Sequence, residues 1–410
     1  MLHTLQHLIA YPKKEFLLFD ETQHSLFLAY ALPLLDTGIS VGAIASDIVK
    51  SLNISVKHTT VKGVFTYEHP LSKPSILCFS SGTKNRQKGI IRSYQSWQPS
   101  FDIIAKAIVD FPTAKAIVLG SLPYSLSLFG AMESIYRRKK PYVFSTCSLR
   151  SFDILSPNEN YVLWATPSHC SFFINAVHRK QINPIKTVKY VFVGGAHFSN
   201  ALRSQLQQVF PKAKIFSFYG ASETSFIALK DPNDNSESVG TLCPGVEVVV
   251  RDKNNQQLPY NSTGTLWVKT NQQFNSYLQK DKKINQLDDF ISVHDSGFVD
   301  SNNRLFFSGR TARKVSISGH IIDVDELEKW YKNELKKEDI TLLIRPNIKK
   351  EYILILCTKF PIDEIQWQLL KKNAFMKLGA QGVAKKWVHC PEWPLRKNGK
   401  IDMQKLKSQI

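Results

Sequence analysis

The sequence predicts an α/β fold: a large N-terminal domain of α/β layers carrying a small β subdomain, followed by a small C-terminal α+β domain. Three observations carry that expectation. Between Ser75 and Lys214, short apolar runs (SILCF, AIVLGSL, YVLWATP, YVFVGG) alternate with longer amphipathic stretches such as SNALRSQLQQVF. Buried strands alternating with helices imply a largely parallel sheet. From Val239 to Thr270 the runs VEVVV and GTLWVK flank the turn-rich DKNNQQLPYNSTG, the pattern of a small antiparallel β subdomain. After Arg310 a helix from Val324 precedes the strands TLLIRP and YILILC, a second helix around Asp363 to Leu378, and a short strand at KKWVHC. That is an α+β module of about 100 residues, an ordinary domain size. The expected division is therefore 1–310 and 311–410.

The 410 residues are 43% hydrophobic and 21% charged, which excludes disorder and low complexity and suffices for two or more cores. No repeat of 20 to 50 residues is evident. Six cysteines are scattered without a CxxC pair, so the chain reads as reduced and cytoplasmic, with neither zinc ribbon nor disulfide framework. The start lacks a positive n-region, and the apolar segment from Ser25 to Ser46 is broken by Pro33, Asp36 and Gly38. A targeting peptide and a membrane span are both unexpected.

The net charge of +19 fits three partners: nucleic acid, an anionic lipid surface, or a phosphate-rich ligand in a pocket under a solvated basic surface. Its dispersal decides for the last. Only short runs occur, such as Arg137-Arg138-Lys139-Lys140 and Lys371-Lys372, and no nucleic-acid motif accompanies them. No nucleic-acid partner is expected; peripheral membrane contact and a homodimer stay open.

Five segments carry candidate chemistry. Ser80, Ser81, Gly82 and Thr83, followed by Lys88 and Gly89, come directly after the strand SILCF. Small hydroxyl residues and glycine let backbone N–H groups wrap an anion, and Lys88 adds a point charge. A Walker A loop is excluded, because Gln87 and Gly89 flank the lysine. Gly194, Gly195 and Ala196 end the strand KYVFV, where glycines allow a flat ligand to approach the backbone. Tyr219, Gly220, Ala221, Ser222 and Glu223 follow KIFSF. There Tyr219 can stack on a base, Ser222 can bond a phosphate, and Glu223 can bind Mg²⁺ through oxygen. His294, Asp295 and Asp300 precede Ser308-Gly309-Arg310, a carboxylate and a guanidinium that could hold a ribose diol. Last, Lys400 lies in PLRKNGKI near the C-terminus. Taken singly, each also reads as an ordinary turn or a basic tail.

In this order and with these strand contexts, the five segments resemble the adenylate-forming superfamily: acyl-CoA synthetases, peptide-synthetase adenylation domains and luciferases. The resemblance runs from about Ser75 to the C-terminus. SSGT…KG is similar to the family's phosphate loop, YGASE to its Y-G-x-T-E, and GGA to its adenine-side motif. HDSGF and SGR are similar to its T-G-D and G-R elements, and PLRKNGKI to its catalytic-lysine motif. RSYQSW (92–97) and SLPYSLSLFGAM (121–132) most resemble fatty acyl-CoA synthetases, with Tyr124 at their aromatic-gate histidine. The departures are Lys84, Asn85 and Gln87 in the phosphate loop, His294 for a glycine, Ala312 for the hinge Asp or Lys, and Ser316 for a lysine. Only about 80 residues precede the phosphate loop, so a reduced N-terminal subdomain is expected.

The resemblance implies ATP, Mg²⁺ and CoA as cofactors and a carboxylic, fatty acid as substrate. The acid attacks the α-phosphate of ATP, and a thiol then displaces AMP. Ser80 to Thr83 and Lys88 would hold the β/γ-phosphates, and Glu223 the metal. Gly195, Ala196 and Tyr219 would flank adenine, Asp295 and Arg310 the ribose. Lys400 would be the catalytic lysine, and the loop at Gly319 would line the pantetheine tunnel of a mobile C-terminal domain. Two alternatives remain: transfer to a carrier-protein thiol, and a degenerate homologue that binds nucleotide or acyl ligand without ligase activity.

Overall fold

Several strands in the first 250 residues are apolar along their buried stretch because both faces are covered. In the computed structural model, Glu15–Asp20 is buried at its four central positions and Ser40–Ile44 at all five. The structure describes all residues except 1, 13–14, 70, 72, 81–86, 145–154, 280, 311–313, 318–319, 347–351 and 397–400. Arg310 is among the residues described by their backbone alone.

The chain groups into two compact units. One comprises Met1–Val248 with Val268–Val293; the other comprises Val249–Trp267, His294–Arg396 and the C-terminal stretch.

Two sheets build the first unit. One has the order Ser276–Tyr277, Lys88–Ser93, Ser75–Ser80, Ser40–Ile44, Glu15–Asp20, Val64–Glu68, Lys57–His58. The second holds the expected parallel strands. Tyr142–Phe144, Lys115–Leu119, Tyr161–Ala165, Val188–Gly194 and Lys214–Ala221 lie side by side and parallel. Ser225–Lys230 and Gly240–Leu242 then continue it antiparallel.

Alternation along these strands assigns their faces. Tyr190 and Phe192 join one core and Val191 and Val193 another, as a period of two requires. The first core takes in Leu17, Phe19, Val41 and Ile76 of the N-terminal sheet and Val118, Val162 and Trp164 of the other. Helices His24–Asp36, Gln98–Ala107 and Ser125–Tyr136 contribute Phe27, Phe101 and Phe129 to it. The second core packs helices Pro167–Arg179 and Asn200–Val209 through Phe173 and Leu206. Burial of each such side chain contributes about 1.5–3 kcal/mol. Side-chain caps start both helices: Thr166 accepts from the His169 N–H at 3.3 Å, and Ser199 from the Leu202 N–H at 3.1 Å.

The second unit takes in part of the neighbouring strands Val246–Arg251 and Gly264–Thr270, and most of the hairpin Phe290–Val299 and Arg304–Arg310 beside them. The C-terminal elements appear as the sequence predicts. Helix Val324–Leu335 packs on strands Ile340–Pro346 and Tyr352–Thr358. Helix Glu364–Leu378 is capped by Asp363, which accepts from the Gln366 N–H at 2.8 Å. Lys386–His389 pairs parallel to Tyr352–Thr358. Among the described residues no helix is long and apolar enough to cross a membrane.

Candidate active site

Lys88 and Glu223, 135 residues apart in the chain, are brought together in the first unit. Lys88 opens the strand Lys88–Ser93, and Glu223 sits in the turn between Lys214–Ala221 and Ser225–Lys230. The Lys88 Nζ lies 3.4 Å from Glu223 Oε1. The Tyr277 phenol donates to the same oxygen at 2.9 Å, and the Lys88 ammonium stands 5.2 Å from the centroid of the Tyr277 ring. Burial, with the neighbouring Glu223 carboxylate second, pushes the Tyr277 phenol far above its ordinary value. It therefore stays a proton donor at any pH near neutrality. The Glu223 carbonyl is held as well, accepting from the Phe274 N–H at 2.8 Å.

Behind this turn lies Arg92, fully buried. It donates to Ser96 Oγ at 3.1 Å, to the Ser222 carbonyl at 3.1 Å and to the Gln272 carbonyl at 2.6 Å. Its guanidinium lies 4.9 Å from the Trp97 ring centroid. Burial pulls its pKa down to about 10 against the opposing pull of Cys78 and Glu223. Ser225, at φ +61°, closes the turn, and its hydroxyl shares a 2.7 Å hydrogen bond with Ser100.

Gly195 and Ala196 follow directly on Val188–Gly194, and both are exposed. Gly194 pairs with Phe218 on the adjacent parallel strand, so the GGA and YGA segments leave neighbouring strand ends. Such carboxyl ends are where open α/β sheets place ligands. A Cβ at Gly194 would meet the Phe218 ring at 2.3 Å, so this close packing requires glycine. Tyr219, Ala221 and Ser222 are half-buried, and Gly220 is exposed. Ser80 ends the strand Ser75–Ser80, whose register sets it opposite Lys88.

Asp295 and Arg310 belong to the second unit and are cross-strand partners in its hairpin. Asp295 is 7% exposed. Phe298 stacks on Phe306 at 4.5 Å across the same ladder, and the Ser296 hydroxyl donates to the Gly264 carbonyl at 3.1 Å. Asp300 organises the hairpin turn, accepting from the Asn302 and Arg304 N–H groups at 3.0 and 2.8 Å. His294, standing where the resemblance puts glycine, adopts φ +59°. The backbone there takes the left-handed conformation that glycine enters without cost. Ser81, Gly82, Thr83, Ala312, Gly319 and Lys400 lie outside the described residues. On either side of Lys400's segment, Leu395 and Ile401 form an antiparallel bridge.

Tyr124 is 4% exposed and accepts from the Gln87 amide at 3.1 Å. Gln87 also accepts from Ser51 at 3.0 Å, so this departure from the phosphate-loop pattern is tied into the fold. Tyr277, Gln279 and Arg92 escaped sequence reasoning as site residues. The Gln279 amide donates to the Gln87 carbonyl at 2.8 Å, and its carbonyl oxygen accepts from the Gly89 N–H at 3.2 Å. For Tyr277 and Gln279 the available signal is the polar segment NQQFNSYLQ, though nothing in its spacing points to Lys88; Arg92 opens RSYQSW, a segment noted only for its resemblance.

Among the described residues no three His, Cys, Asp or Glu side chains gather as a metal cage. A lone carboxylate beside a lysine nonetheless suits Mg²⁺, which takes one or two carboxylates and leaves its other positions to water and substrate phosphates. The Lys88 and Tyr277 contacts both fall on Oε1 of Glu223.

Comparison with known proteins places the chain in a family. A family model described as AMP-binding enzyme matches residues 16–278. The acyl-CoA ligase YhfT of Bacillus subtilis, itself uncharacterised, is 25% identical over 84% of this chain and 69% of its own. The putative long chain fatty acid-CoA ligase VraA of Staphylococcus haemolyticus is 24% identical over 79% of this chain and 68% of its own. The ATP-bound crystal structure of MatB from Rhodopseudomonas palustris superposes with a TM-score of 0.70 at 16% identity, covering 100% of this chain and 82% of that one. With a family model spanning more than half its length, the chain belongs to the AMP-binding enzyme family.

Proposed function

We propose that the chain is an AMP-forming acid–thiol ligase that activates a fatty acid with ATP and passes the acyl group to CoA. The observation that carries this reading is the meeting of Lys88 and Glu223 at 3.4 Å, beside the strand ends that bear GGA and YGA. A cation for phosphate oxygens and a carboxylate for a metal are what phosphoryl chemistry needs, since it demands positioning and charge stabilisation more than a protein nucleophile. Bound Mg²⁺ would neutralise charge on the phosphates. Glu223 would hold it, with the Tyr277 phenol and Lys88 fixing that carboxylate. Ser80, Ser81, Gly82, Thr83 and Lys88 would bind the β/γ-phosphates. Gly195, Ala196 and Tyr219 would flank adenine, with Gly220, Ala221 and Ser222 shaping the same wall. Asp295 and Arg310 would hold the ribose. Lys400 would stabilise the negative charge developing between carboxylate and phosphate, and the Gly319 loop would contact CoA. In this reading the functional division falls near residue 311.

The fatty substrate is supported by SLPYSLSLFGAM and by the name of the VraA relative. The test is pyrophosphate release with Mg-ATP across a panel of carboxylic acids, with and without CoA, beside Lys400→Ala. Release with one chain-length class, rising with CoA and lost in the variant, is expected. Release that needs a carrier protein in place of CoA would reassign the acceptor. No release with any acid, while ATP still raises the melting temperature, would leave a nucleotide-binding homologue without ligase activity.

A further inference from the structure

We propose that Arg92 is the positioning residue of this site: it ties together the three chain segments that supply Lys88, Glu223 and Tyr277. Arg92 lies four residues beyond Lys88 on the same strand, so the two side chains leave the same face. One guanidinium nitrogen donates to the carbonyl of Ser222, the residue before Glu223, and another to the carbonyl of Gln272. Gln272 opens the segment in which the Phe274 N–H binds the Glu223 carbonyl and Tyr277 reaches the carboxylate. Ser96 and the Trp97 ring fix the guanidinium from behind. Two of its bonds run to main-chain carbonyls, so Lys88, Glu223 and Tyr277 share one buried anchor.

A packing role alone would be served as well by an apolar side chain, without removing a charge from water. The rigid fork of arginine reaches two carbonyls at once, whereas the single ammonium of lysine cannot hold both in the same geometry. Displacement of Glu223 is the expected consequence of losing it.

The inference rests on the reading of Glu223 as the Mg²⁺ ligand, and its test reads the metal directly. ATP is held at fixed concentration, MgCl₂ is titrated, and the half-saturating Mg²⁺ for thermal stabilisation is measured in the wild type, Arg92→Lys and Ser96→Ala. Loss of a partner that orients a metal ligand costs about 10- to 100-fold in metal affinity. Arg92→Lys should raise the half-saturating Mg²⁺ by about 10-fold on that basis. Ser96→Ala, which removes one acceptor and keeps the charge, should raise it by about 2- to 5-fold, the equivalent of one hydrogen bond. A lower melting temperature without ATP, with the Mg²⁺ midpoint unchanged in both variants, would make Arg92 structural only and overturn the inference. If Arg92→Lys does not fold, Ser96→Ala decides by the same midpoint. A wild type with no Mg²⁺-dependent stabilisation would instead overturn the role of Glu223, and the inference with it.

Discussion

Glu223 and Asp295, the two carboxylates assigned to the nucleotide, are held in opposite ways. Glu223 depends on residues from distant parts of the chain: Lys88 and Tyr277 at its carboxylate, Phe274 at its carbonyl, and Arg92 behind. Asp295 faces Arg310 through the register of a single hairpin whose turn Asp300 organises. The first arrangement is set by how strands from two sheets come together, the second by a ladder of neighbouring residues. A convergent wall can be weakened at several remote points, whereas a hairpin is weakened at its own turn.

Five substitutions probe that contrast. Glu223→Gln should have the largest effect, a loss of about 10²-fold or more in pyrophosphate release, since a charge that stabilises the transition state is removed while the fold persists. Circular dichroism beside the assay checks the second half of that statement. Asp295→Asn should raise the KM for ATP by about 10-fold with a smaller change in kcat, the value of a hydrogen bond to a charged group. An equal fall in kcat would place Asp295 with Glu223 and break the contrast.

Tyr277→Phe should cost about 3- to 10-fold, because it removes one hydrogen bond and leaves Lys88 in place. The loss should be the same at pH 7 and pH 9.5. The phenol's pKa is raised, so the folded state keeps its proton above the ordinary value of 10, and the phenol does not titrate within that window. A deficit that shrinks toward pH 9.5 would show the phenol ionising and refute the assignment. The smallest effect belongs to the hairpin backbone. His294→Gly should change stability by less than about 1 kcal/mol, since relief of the left-handed backbone offsets the greater freedom of glycine in the unfolded chain. His294→Val should lose about 1–2 kcal/mol, as a β-branched side chain tolerates φ +59° poorly. Denaturant midpoints of the two variants measure the difference.

Much of the fold is readable in the residues. Most of the parallel strands from Lys115 to Ala221, the pair Val246–Arg251 and Gly264–Thr270, and the C-terminal elements from Val324 to His389 coincide with apolar runs or capped helical patterns, whereas the strands Lys314–Ile317 and His320–Asp323 and the helix Met403–Gln409 were not foreseen. The N-terminal sheet was not foreseen. Its order passes from Ser276–Tyr277 through Lys88–Ser93 and Ser75–Ser80 back to Ser40–Ile44 and Glu15–Asp20, and no local pattern announces such partners. Pro33 also made the segment around it look interrupted, yet it lies inside the helix His24–Asp36. The grouping of Val249–Trp267 with the residues after His294 likewise depends on which strands pair.

The sequence by itself determined which stretches bury both faces, where helices begin at Thr166, Ser199 and Asp363, and which residues carry charge or hydroxyls after strand ends. Burial periodicity and capping are local, so a single chain of letters encodes them. Tertiary structure alone decided that Tyr277 would complete the pair of Lys88 and Glu223, that Gln87 would bind Tyr124, and that a buried Arg92 would stand behind them. Those hydrogen bonds join residues 37 to 180 positions apart, and no spacing rule reaches that far.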